Sequence, residues 1–471
     1  MPRMKKIHLI LTALLVLLCA CTGAKRPATP AEATGWPIAI FAGDYPDPSI
    51  LVDGDDYYMT FTTNYWLPAL PVWHSTDLVH WELLGHALDT YLGTVWAPDF
   101  QKVDGRYYIY FPADGRIYVV WADDVRGPWS KPVDLGIRAI DPGLGVADDG
   151  SRVLFFNGGI SAPLSPDGLS TAGDIRHAYD AWPIPDDWVV ECECLESPKV
   201  VRHDGWYYII SAEGGTAGPA TSHMAVACRS RSLEGPWEQS PYNPIVHTWS
   251  ADETWWSKGH GTLFADARGD WWMVYHAYRK NYHTLGRHTL LEPMTWTADG
   301  WPVADKSEGR TLPKGSVADT PRVKGEWLSW KGDTDMQTLV VGDTCYTFTG
   351  RVTLPPADGE AGLLLSYNAK SFSGITADAS TLHLWHEGKQ VDELPNPYGR
   401  QLWLRIVNRC NTVTLYAGRS PRRLRPVGTT LDVSAMHHNV LGSFMSLRPA
   451  WKRSGPDCTV DHLTVTPDAA R

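Results

Sequence analysis

The sequence predicts an all-β protein with an N-terminal five-bladed β-propeller over residues 36–304 and a C-terminal β-sandwich of the concanavalin A-like or jelly-roll type over residues 328–471. Two observations predict this class. A hairpin motif repeats five times in the first part, and the later part contains short β-rich runs without that motif. The 42 glycines and 35 prolines among 471 residues, about 16% against roughly 12% on average, agree with many short strands and turns.

The repeated motif is a turn dipeptide between two apolar runs, which is the strongest short-range signal of a β-hairpin. Successive copies are 50, 47, 53 and 64 residues apart, which is the length of one four-stranded propeller blade with its loops. Five copies therefore predict five blades. One apolar residue marks each copy: Tyr57, Tyr107, Leu154, Tyr207 and Trp271.

The chain after the repeats has a different pattern. Residues 305–327 are rich in glycine, proline and charge, which is typical of a linker. Beyond them, short runs such as 346–354 and 402–407 are rich in β-forming residues but lack the blade motif. We therefore expect the last part to form a separate all-β domain.

The N-terminus is predicted to be a targeting segment. A basic start and an apolar stretch at 9–18, too short to span a bilayer, are typical of a secretory signal peptide, which we assign to residues 1–21. Its end, LCAC, resembles a bacterial lipobox that would be lipidated at Cys21, and an ordinary alanine-type cleavage site is the alternative. Residues 22–35 are a Pro/Ala-rich tether. We expect an exported protein, lipid-anchored to a bacterial membrane on its periplasmic or cell-surface face.

Composition narrows the partners. The formal net charge is −11, so nucleic acid is not expected as a partner. The 23 tryptophans and 20 tyrosines suggest carbohydrate, because indole faces stack on sugars, although core packing explains aromatic residues equally well. Six cysteines follow Cys21 at spacings that fit no zinc ribbon, so we expect a mixture of disulfides and free thiols.

One chemically distinctive residue precedes each blade marker by 10 to 13 positions. In a propeller the innermost strand of each blade lines a central funnel, so equivalent positions face one cavity. Three acids converging on one cavity are costly unless they do chemistry, because like charges at close range disfavour ionisation and push pKa values apart. The five positions are Asp47, Trp96, Asp141, Glu196 and His260.

Each of these residues also has an ordinary structural explanation. Asp47 and Asp141 precede prolines and could simply start turns. Glu196 could be an exposed ion-pair partner. Trp96 could be a core residue, and His260 could be a structural histidine with satisfied hydrogen bonds. The shared register of all five positions is what favours a functional site.

Five motifs carry a family resemblance. They are GDYPDPSILVDGDDYYMTFTT at 43–63, VWAPDF at 95–100, IDPG at 140–143, LESPKVVRHDGWYYIISAEGGT at 195–216 and GRHTLLEPMTWTADGWP at 286–302. In this order and at blade spacing, the motifs resemble glycoside hydrolase family 43. The resemblance implies a five-bladed propeller enzyme that hydrolyses arabinose- or xylose-containing plant polysaccharides with inversion of configuration.

The resemblance also implies roles for individual residues. Asp47 matches the family's general base and Glu196 its general acid. Asp141 matches the acid that modulates pKa values and orients the site. Trp96 matches a wall of the sugar subsite, and Arg287 matches an arginine near the acid and the substrate.

A metal and an exo-acting mode are further expectations. His260 matches a histidine near the funnel axis that in several relatives helps to hold a hydrated calcium ion, so a structural calcium ion is an expectation, whereas no cofactor is expected to be required. Trp66 and Trp73, with Trp96, are expected to bind substrate and close the funnel into a pocket. A pocket and a C-terminal sandwich favour release of terminal α-L-arabinofuranosyl or β-D-xylosyl residues.

The implied chemistry needs two different protonation states. Inverting hydrolysis uses one protonated and one ionised carboxyl about 6.5 to 9.5 Å apart, so that a water molecule fits between them. We expect partial burial and the charge of Asp141 to keep Glu196 protonated, and a wetter setting to keep Asp47 ionised. Arg287 is expected to hold Asp141 or substrate hydroxyls with its planar fork.

Two other glutamates compete with Glu196 for the role of acid. Glu191 and Glu193 precede it in the same segment, so a shift of register would bring the wrong glutamate forward. The three cannot all share one strand face, because residues an odd number apart point in opposite directions. The step from Ser197 to Pro198 resembles the family pattern best after Glu196, which favours Glu196.

Other functions remain open at this point. A non-catalytic glycan-binding lipoprotein would explain the aromatic residues and the anchor, but leaves three acids in register unexplained. An endo-acting arabinanase is a second alternative. A retaining propeller hydrolase acting on fructans would need carboxyls only about 5 to 5.5 Å apart. A metallohydrolase or serine hydrolase is disfavoured, because neither H-E-x-x-H nor G-x-S-x-G occurs.

Overall fold

A computed structural model describes residues 35–307, 309–315, 324–356, 358–455 and 457–468. The predicted signal peptide, Cys21 and the tether up to residue 34 lie outside the described residues. Within these ranges, no helix is both long enough and apolar enough to cross a membrane. The regular structure is nearly all β, as predicted. The helices described are α1 (His438–Leu441) and three 3-10 helices, Asn157–Gly159, His283–Leu285 and Pro313–Gly315.

Three four-stranded antiparallel sheets come first along the chain. The first contains β2 (Ser49–Asp53), β3 (Asp56–Thr60), β5 (Ala69–Ser75) and β6 (Glu82–Leu88). The second contains β7 (Asp99–Val103), β8 (Arg106–Ala113), β9 (Arg116–Ala122) and β10 (Val133–Asp134). The third contains β11 (Gly143–Val146), β12 (Arg152–Phe156), β13 (Ile160–Leu164) and β14 (Arg176–His177).

Two five-stranded sheets follow. The fourth contains β15 (Glu196–His203), β16 (Trp206–Glu213), β17 (Met224–Ser230), β18 (Glu238–Gln239) and β19 (Val246–His247). The fifth contains β20 (Trp255–Ala265), β21 (Trp271–Arg279), β22 (Arg287–Trp296) and β23 (Pro302–Ala304), and it is completed by the early strand β1 (Ile38–Phe41). The fifth sheet therefore joins the two ends of this part of the chain.

The predicted repeat corresponds to the hairpin that joins the first two strands of each sheet. In the second sheet, for example, Val103 pairs with Arg106 across Asp104 and Gly105, whose φ values are 52° and 82°. A two-residue turn of this kind needs positive φ at both positions, which explains the Asp-Gly pair. The first strands β2, β7, β11, β15 and β20 contact one another in a cycle. The residues just before these strands therefore converge on one region.

The C-terminal part consists of two antiparallel sheets on a shared core. In order, the eight-stranded sheet is β30 (Lys389–Pro395), β29 (Thr381–His386), β28 (Phe372–Ala377), β27 (Glu360–Ser366), β34 (Arg448–Ser454), β25 (Asp333–Leu339), β24 (Trp327–Trp330) and β4 (Trp66–Leu67). The five-stranded sheet is β33 (Leu424–Asp432), β32 (Thr412–Gly418), β31 (Gln401–Arg409), β26 (Cys345–Thr353) and β35 (Thr459–Pro467).

The core between these two sheets follows from their alternating side chains. Along β31, buried and less buried residues alternate over nine positions, as expected for a strand with one face on a core. Phe348, Leu363 and Leu404 are fully buried in this core. Strand β4 extends the eight-stranded sheet although it comes from the first part of the chain.

The two parts of the chain are joined by more than the linker. Strand β4 pairs with β24, and the Trp66 ring contacts Trp330 with centroids 5.0 Å apart. Behind this contact, Nη2 of Arg448 on β34 donates to Oδ2 of Asp44 at 2.8 Å, and both side chains are buried. A buried ion pair of this kind fixes the C-terminal part against the loop that precedes β2.

The cysteines form the expected mixture. Cys192 and Cys194 are joined by a disulfide two residues apart in sequence. Cys228 and Cys458 are buried free thiols. Cys345 and Cys410 have their sulfurs 2.9 Å apart without a disulfide. The disulfide lies in the segment that leads to Glu196.

Replacing Arg448 by methionine should destabilise the whole protein strongly. The substitution leaves the buried Asp44 carboxylate without its cation, and breaking a buried pair costs about 3–5 kcal/mol. Urea unfolding followed by fluorescence measures the loss.

The matched control is Arg453→Met on the same strand. Arg453 pairs with the exposed Asp335, and an exposed pair is worth about 1 kcal/mol or less. Equal small losses for the two variants would contradict a joining role for Arg448.

Candidate active site

The three predicted acids lie at the entrances of three first strands. Asp47 precedes β2, Asp141 precedes β11, and Glu196 is the first residue of β15. Asp47 and Asp141 both have a φ of 57°, in the left-handed region that aspartate tolerates better than most residues. The Asp-Pro steps are therefore local turns, as the ordinary explanation holds, and these turns also direct the carboxylates to a common site.

His260 contacts all three acids. Its Nδ1 lies 3.5 Å from Oδ1 of Asp47 and 3.9 Å from Oε1 of Glu196, and its Nε2 lies 3.8 Å from Oδ2 of Asp141. Burial lowers the pKa of His260 to about 3, so the ring is neutral near pH 7. The predicted convergence of four of the five positions is thus present in the structure, with the imidazole at its centre.

Asp47 is held as an ionised carboxylate. Burial alone would raise its pKa, but Arg287, His260 and His276 together hold it well below its usual range. Nη1 of Arg287 donates to Oδ1 of Asp47 at 2.9 Å, and Nδ1 of His276 lies 2.9 Å from the same oxygen. The Thr62 hydroxyl donates to Oδ2. Each carboxylate oxygen of Asp47 therefore has at least one polar or charged group beside it.

The other two acids favour protonation. Burial and the charge of Asp47 raise the pKa of Asp141. Burial, followed by the charges of Asp141 and Asp47, raises the pKa of Glu196 well above its usual value. The cluster therefore holds its negative charge at Asp47 and its proton at the pair formed by Asp141 and Glu196.

The expected protonation states are reproduced, but the expected reason for Asp47 is wrong. The Asp47 side chain is only 5% exposed, whereas Glu196 is 21% exposed, so the wetter position is that of the acid. Asp47 is ionised because Arg287 lies against it. Arg287 accordingly pairs with Asp47 and not with Asp141, contrary to the expectation.

Lys199 is a buried cation that sequence reasoning did not assign to the site. Its Nζ donates to the carbonyl of Pro98 at 2.6 Å and to that of Pro142 at 3.2 Å, and it lies 3.2 Å from Oδ1 of Asp99. Its charge opposes the rise in the pKa of Asp141. The only sequence signal for Lys199 is its place three residues after Glu196.

Trp96 is half-buried beside a residue from the C-terminal part. Its ring meets Phe444 edge to face with centroids 5.9 Å apart, and the Arg287 guanidinium lies 5.4 Å from the Phe444 ring centre. The Asn64 amide donates to the Phe444 carbonyl at 3.0 Å, and His438 stacks on the same ring. Phe444 thus forms an aromatic wall with Trp96, and no repeat motif could have indicated it.

The structure corrects the expectation for Trp66 and Trp73. Trp66 is fully buried against Trp330, and the Arg448 guanidinium lies 5.3 Å from its ring centre. Trp73 is buried in the core of the first sheet, edge to face with Phe41. Both rings are covered by protein because the C-terminal part and β1 pack over them, so they support the site without contacting a ligand.

Two further histidines complete the cluster and were not identified from the sequence. His223 stacks on His276 with centroids 5.1 Å apart and an interplanar angle of 5°. His276 also lies 3.1 Å from the hydroxyl of Thr216. The spacing of these two histidines in the sequence fits no metal-binding motif. His223 directly precedes β17 and His276 lies on β21, and these strands belong to different sheets.

The residues do not fit direct coordination of a calcium ion, so the hydrated calcium ion expected near His260 would have to be held through water molecules. The two groups of candidate ligands are Asp47, His260 and His276, and Glu196, His223 and His260, and in each the candidate ligand atoms lie within 4.8 Å of one another. Each group offers two imidazole nitrogens, whereas calcium prefers six to eight oxygen ligands. The charge of Asp47 is already balanced by Arg287.

The neighbouring glutamates are separate from the cluster. Glu191 is exposed and its Oε2 accepts from the backbone of Ala217 at 2.6 Å. Glu193 is also exposed. Among the three glutamates, Glu196 is the one that reaches His260. The geometry therefore supports the choice of Glu196.

In this site a carboxyl group that favours its proton and an ionised carboxylate lie beside the same nitrogen of a neutral imidazole, close to an aromatic wall. This arrangement defines the class of acid–base sites that glycosidases use. The chain belongs to the glycosyl hydrolases family 43, whose family model matches residues 37–302.

Individual relatives agree with this family. A xylan 1,3-beta-xylosidase from a Vibrio species is 31% identical over 312 residues, covering 56% of this chain and 56% of the relative. A non-reducing end alpha-L-arabinofuranosidase from Bacteroides ovatus is 34% identical over 292 residues, covering 57% of this chain and 53% of the relative. The chain therefore spans little more than half the length of these relatives.

Solved structures resemble both parts of the chain. A family 43 protein from Bacillus licheniformis has a TM-score of 0.79 at 22% identity and covers 92% of this chain and 100% of its own. A family 43 protein from Bacteroides ovatus, described with a xyloglucan utilisation locus, has a TM-score of 0.77 at 25% identity, over 91% of this chain and 98% of its own. The likeness extends beyond residues 37–302 to the C-terminal sheets.

Arg287→Met should move the pH profile of activity upward. Loss of the cation raises the pKa of Asp47, so the ionised base is lost at a higher pH on acidification, and the acidic limb of kcat/KM shifts up by about one unit or more. The pKa of Glu196 also rises, because Arg287 lowers it, so the alkaline limb moves in the same direction.

Profiles of kcat/KM against pH on a nitrophenyl glycoside measure both limbs. Arg279→Met, at the exposed end of β21, is the control and should leave the profile in place. An acidic limb that stays in place in Arg287→Met would contradict the role of this arginine in keeping Asp47 ionised.

Proposed function

We propose that this protein is an inverting, exo-acting glycoside hydrolase that releases terminal α-L-arabinofuranosyl or β-D-xylosyl residues from plant cell-wall polysaccharides or their oligosaccharides. The observation that carries the proposal is the division of protonation states around His260, with Asp47 ionised and Glu196 favouring its proton. Family membership supports the reaction class, and the names of the two relatives support the two sugars.

In the proposed mechanism Asp47 is the general base and Glu196 the general acid. Asp47 takes a proton from a water molecule that attacks the anomeric carbon, while Glu196 donates its proton to the departing glycosidic oxygen. Their oxygens lie 3.5 and 3.9 Å from the same nitrogen of His260, so they are at most about 7.4 Å apart. Asp141 maintains the raised pKa of Glu196. The chemistry uses carboxyl groups alone and requires no cofactor.

The exo-acting mode is supported by the wall that Trp96 and Phe444 form. Phe444 comes from the C-terminal part and narrows the site on one side. A narrowed site suits a chain end better than the middle of a polymer. An endo-acting arabinanase remains the alternative, and the length of the products released from arabinan distinguishes the two.

The same proposal includes the domain architecture. The five sheets are proposed to be the blades of a propeller over residues 36–304, followed by a linker at 305–327 and a β-sandwich at 328–471. The cycle of first strands supports the propeller, and the shared core supports the sandwich. Strand β4 is an exception to this division, because it belongs to a sandwich sheet.

Two other functions are less well supported. A glycan-binding protein without catalysis would not need a base and an acid with divergent pKa values. A retaining hydrolase would use the ionised Asp47 as its nucleophile and would need the two carboxyls only about 5 to 5.5 Å apart. The anomer first released, followed by NMR, separates inversion from retention.

The first test measures nitrophenol release by a soluble protein beginning at Thr22. We expect activity on the nitrophenyl α-L-arabinofuranoside or β-D-xyloside, and its loss in Asp47→Ala. Silence of the unaltered protein on both substrates would contradict the proposal.

Glu196→Ala should lose most activity on substrates with poor leaving groups. Such leaving groups need protonation, whereas nitrophenolate departs without it. The comparison is kcat/KM on xylo- or arabino-oligosaccharides against kcat/KM on nitrophenyl glycosides. Equal losses on both would count against Glu196 as the acid.

Export and lipid anchoring at Cys21 are also proposed, since a secreted glycosidase meets polymeric substrates that cannot enter the cell. Cys21→Ser should move the protein from the membrane fraction to the soluble fraction of the expressing bacterium. Labelling with a clickable fatty acid measures the modification directly. Retention in the membrane without label would contradict the anchor.

A further inference from the structure

Three aromatic rings form a corner beside the fourth sheet, with His247 on β19 and the two tryptophans in loops. Trp188 stacks on His247 with centroids 4.8 Å apart and an interplanar angle of 7°. Trp249 stands at 90° to His247 and at 85° to Trp188. The Trp249 side chain is 58% exposed, so a large part of its indole surface is open to solvent. We call Trp188, His247 and Trp249 the aromatic corner.

The corner opens on a pocket of about 280 Å³ that shares no residue with the acid cluster. Its charged side chains neutralise each other. Glu253 accepts from Lys258 at 2.6 Å, and Glu292 lies 3.3 Å from Lys306. A pocket with balanced charges and aromatic walls suits a neutral ligand with both an apolar face and hydroxyl groups.

His247 connects the corner to the wall of the pocket. Its Nε2 lies 2.8 Å from the Thr221 carbonyl, which can only accept, so Nε2 carries the proton and this hydrogen bond holds the ring in place. The residue is 7% exposed and lines the pocket, and the Trp188 ring covers one face of the imidazole. His247 therefore supports the pocket wall beside Trp249.

Hydrogen bonds within the loop hold the backbone that carries Trp249. The backbone N–H of Trp249 donates to Oε1 of Glu253 at 2.7 Å, and Glu253 is fixed by Lys258. The indole N–H of Trp256 donates to the carbonyl of Ala251 within the same loop. A preorganised aromatic surface loses little entropy on binding.

The corner also connects to the strand that carries the acid. Trp182 lies 6.0 Å from Trp188, ring centre to ring centre, and its backbone N–H donates to Glu213 at 2.8 Å. Glu213 directly follows Ala212, which pairs with Glu196. The corner is therefore beside the catalytic funnel but outside it.

We propose that the aromatic corner and its pocket form a second glycan-binding site, which holds a neutral pentosyl unit of the polysaccharide away from the bond being cleaved. The sugar class rests on the proposed function, whereas the site rests on the corner itself. Trp249 stacks on the apolar face of the sugar ring, and the hydroxyls of the sugar face the charged side chains that line the pocket. The site keeps the enzyme on its polymer between cleavage events.

Binding is tested by affinity electrophoresis in native gels that contain soluble arabinoxylan or arabinan. Asp47→Ala serves as the background, since it prevents hydrolysis during the run. Adding Trp249→Ala or Trp188→Ala should weaken binding about tenfold, the scale for truncating an anchoring tryptophan. Trp249→Phe, which keeps an aromatic face, should retain part of the binding. Trp121→Ala is the matched control, because this half-buried tryptophan lies on β9, and it should change nothing.

The second measurement is steady-state kinetics with variants that retain Asp47 and are therefore able to hydrolyse the substrate. Trp249→Ala should raise KM on the polysaccharide while kcat/KM on a nitrophenyl glycoside stays within about twofold. Equal binding by the corner variants and the Trp121→Ala control would overturn the inference. A parallel loss on the small glycoside would also overturn it, because the corner would then belong to the catalytic site. Failure of the proposed hydrolysis is distinguishable, since the gels report binding without it.

Discussion

The ion pair between Asp47 and Arg287 is the interaction on which the rest of the site depends. Three acids around one imidazole cannot all be ionised, and this guanidinium decides which of them is charged. Burial and this negative charge then raise the pKa values of Asp141 and Glu196, and the pair holds one proton. Arg287 is itself held, because its backbone N–H donates to Asp44, whose other oxygen accepts from Arg448 of the C-terminal part. The protonation pattern thus depends on packing between two parts of the chain.

Backbone conformation is the second constraint. Asp47, Asp141 and His260 have φ values of 57°, 57° and 56°, which residues other than glycine rarely adopt. Asp47 and Asp141 precede the first strands of their sheets, whereas His260 lies at a register irregularity within β20. Each of the three turns a side chain toward the common centre. Such conformations cost about 1–3 kcal/mol each and persist where the surroundings enforce them. The repeated sheets hold these residues in place, because the first strand of each sheet contacts the first strands of the neighbouring sheets.

The same repetition explains what could be predicted. Asp47, Asp141, Glu196 and His260 were found because equivalent positions of similar sheets face one centre, and their spacing is visible in the sequence. Lys199 and His276 were not identified from the sequence, because they lie at positions of their sheets that the repeat does not mark. Phe444 was not identified from the sequence, because no sequence pattern relates it to Trp96. The role expected for Trp66 was wrong, since its burial depends on Trp330, more than 200 residues away, and tertiary packing of this kind leaves no local signal.

The pairings of β1 with β22 and of β4 with β24 have a consequence for biosynthesis. Each joins segments separated by about 250 residues or more, since Ile38 pairs with Leu291 and Trp66 with Trp330. At a synthesis rate of about 20 residues per second, the early strands wait on the order of ten seconds for their partners. During that interval their apolar faces and open edges are targets for aggregation. The edges of β1 and β4 therefore stay unpaired until at least residues 291 and 330, respectively, have been synthesised.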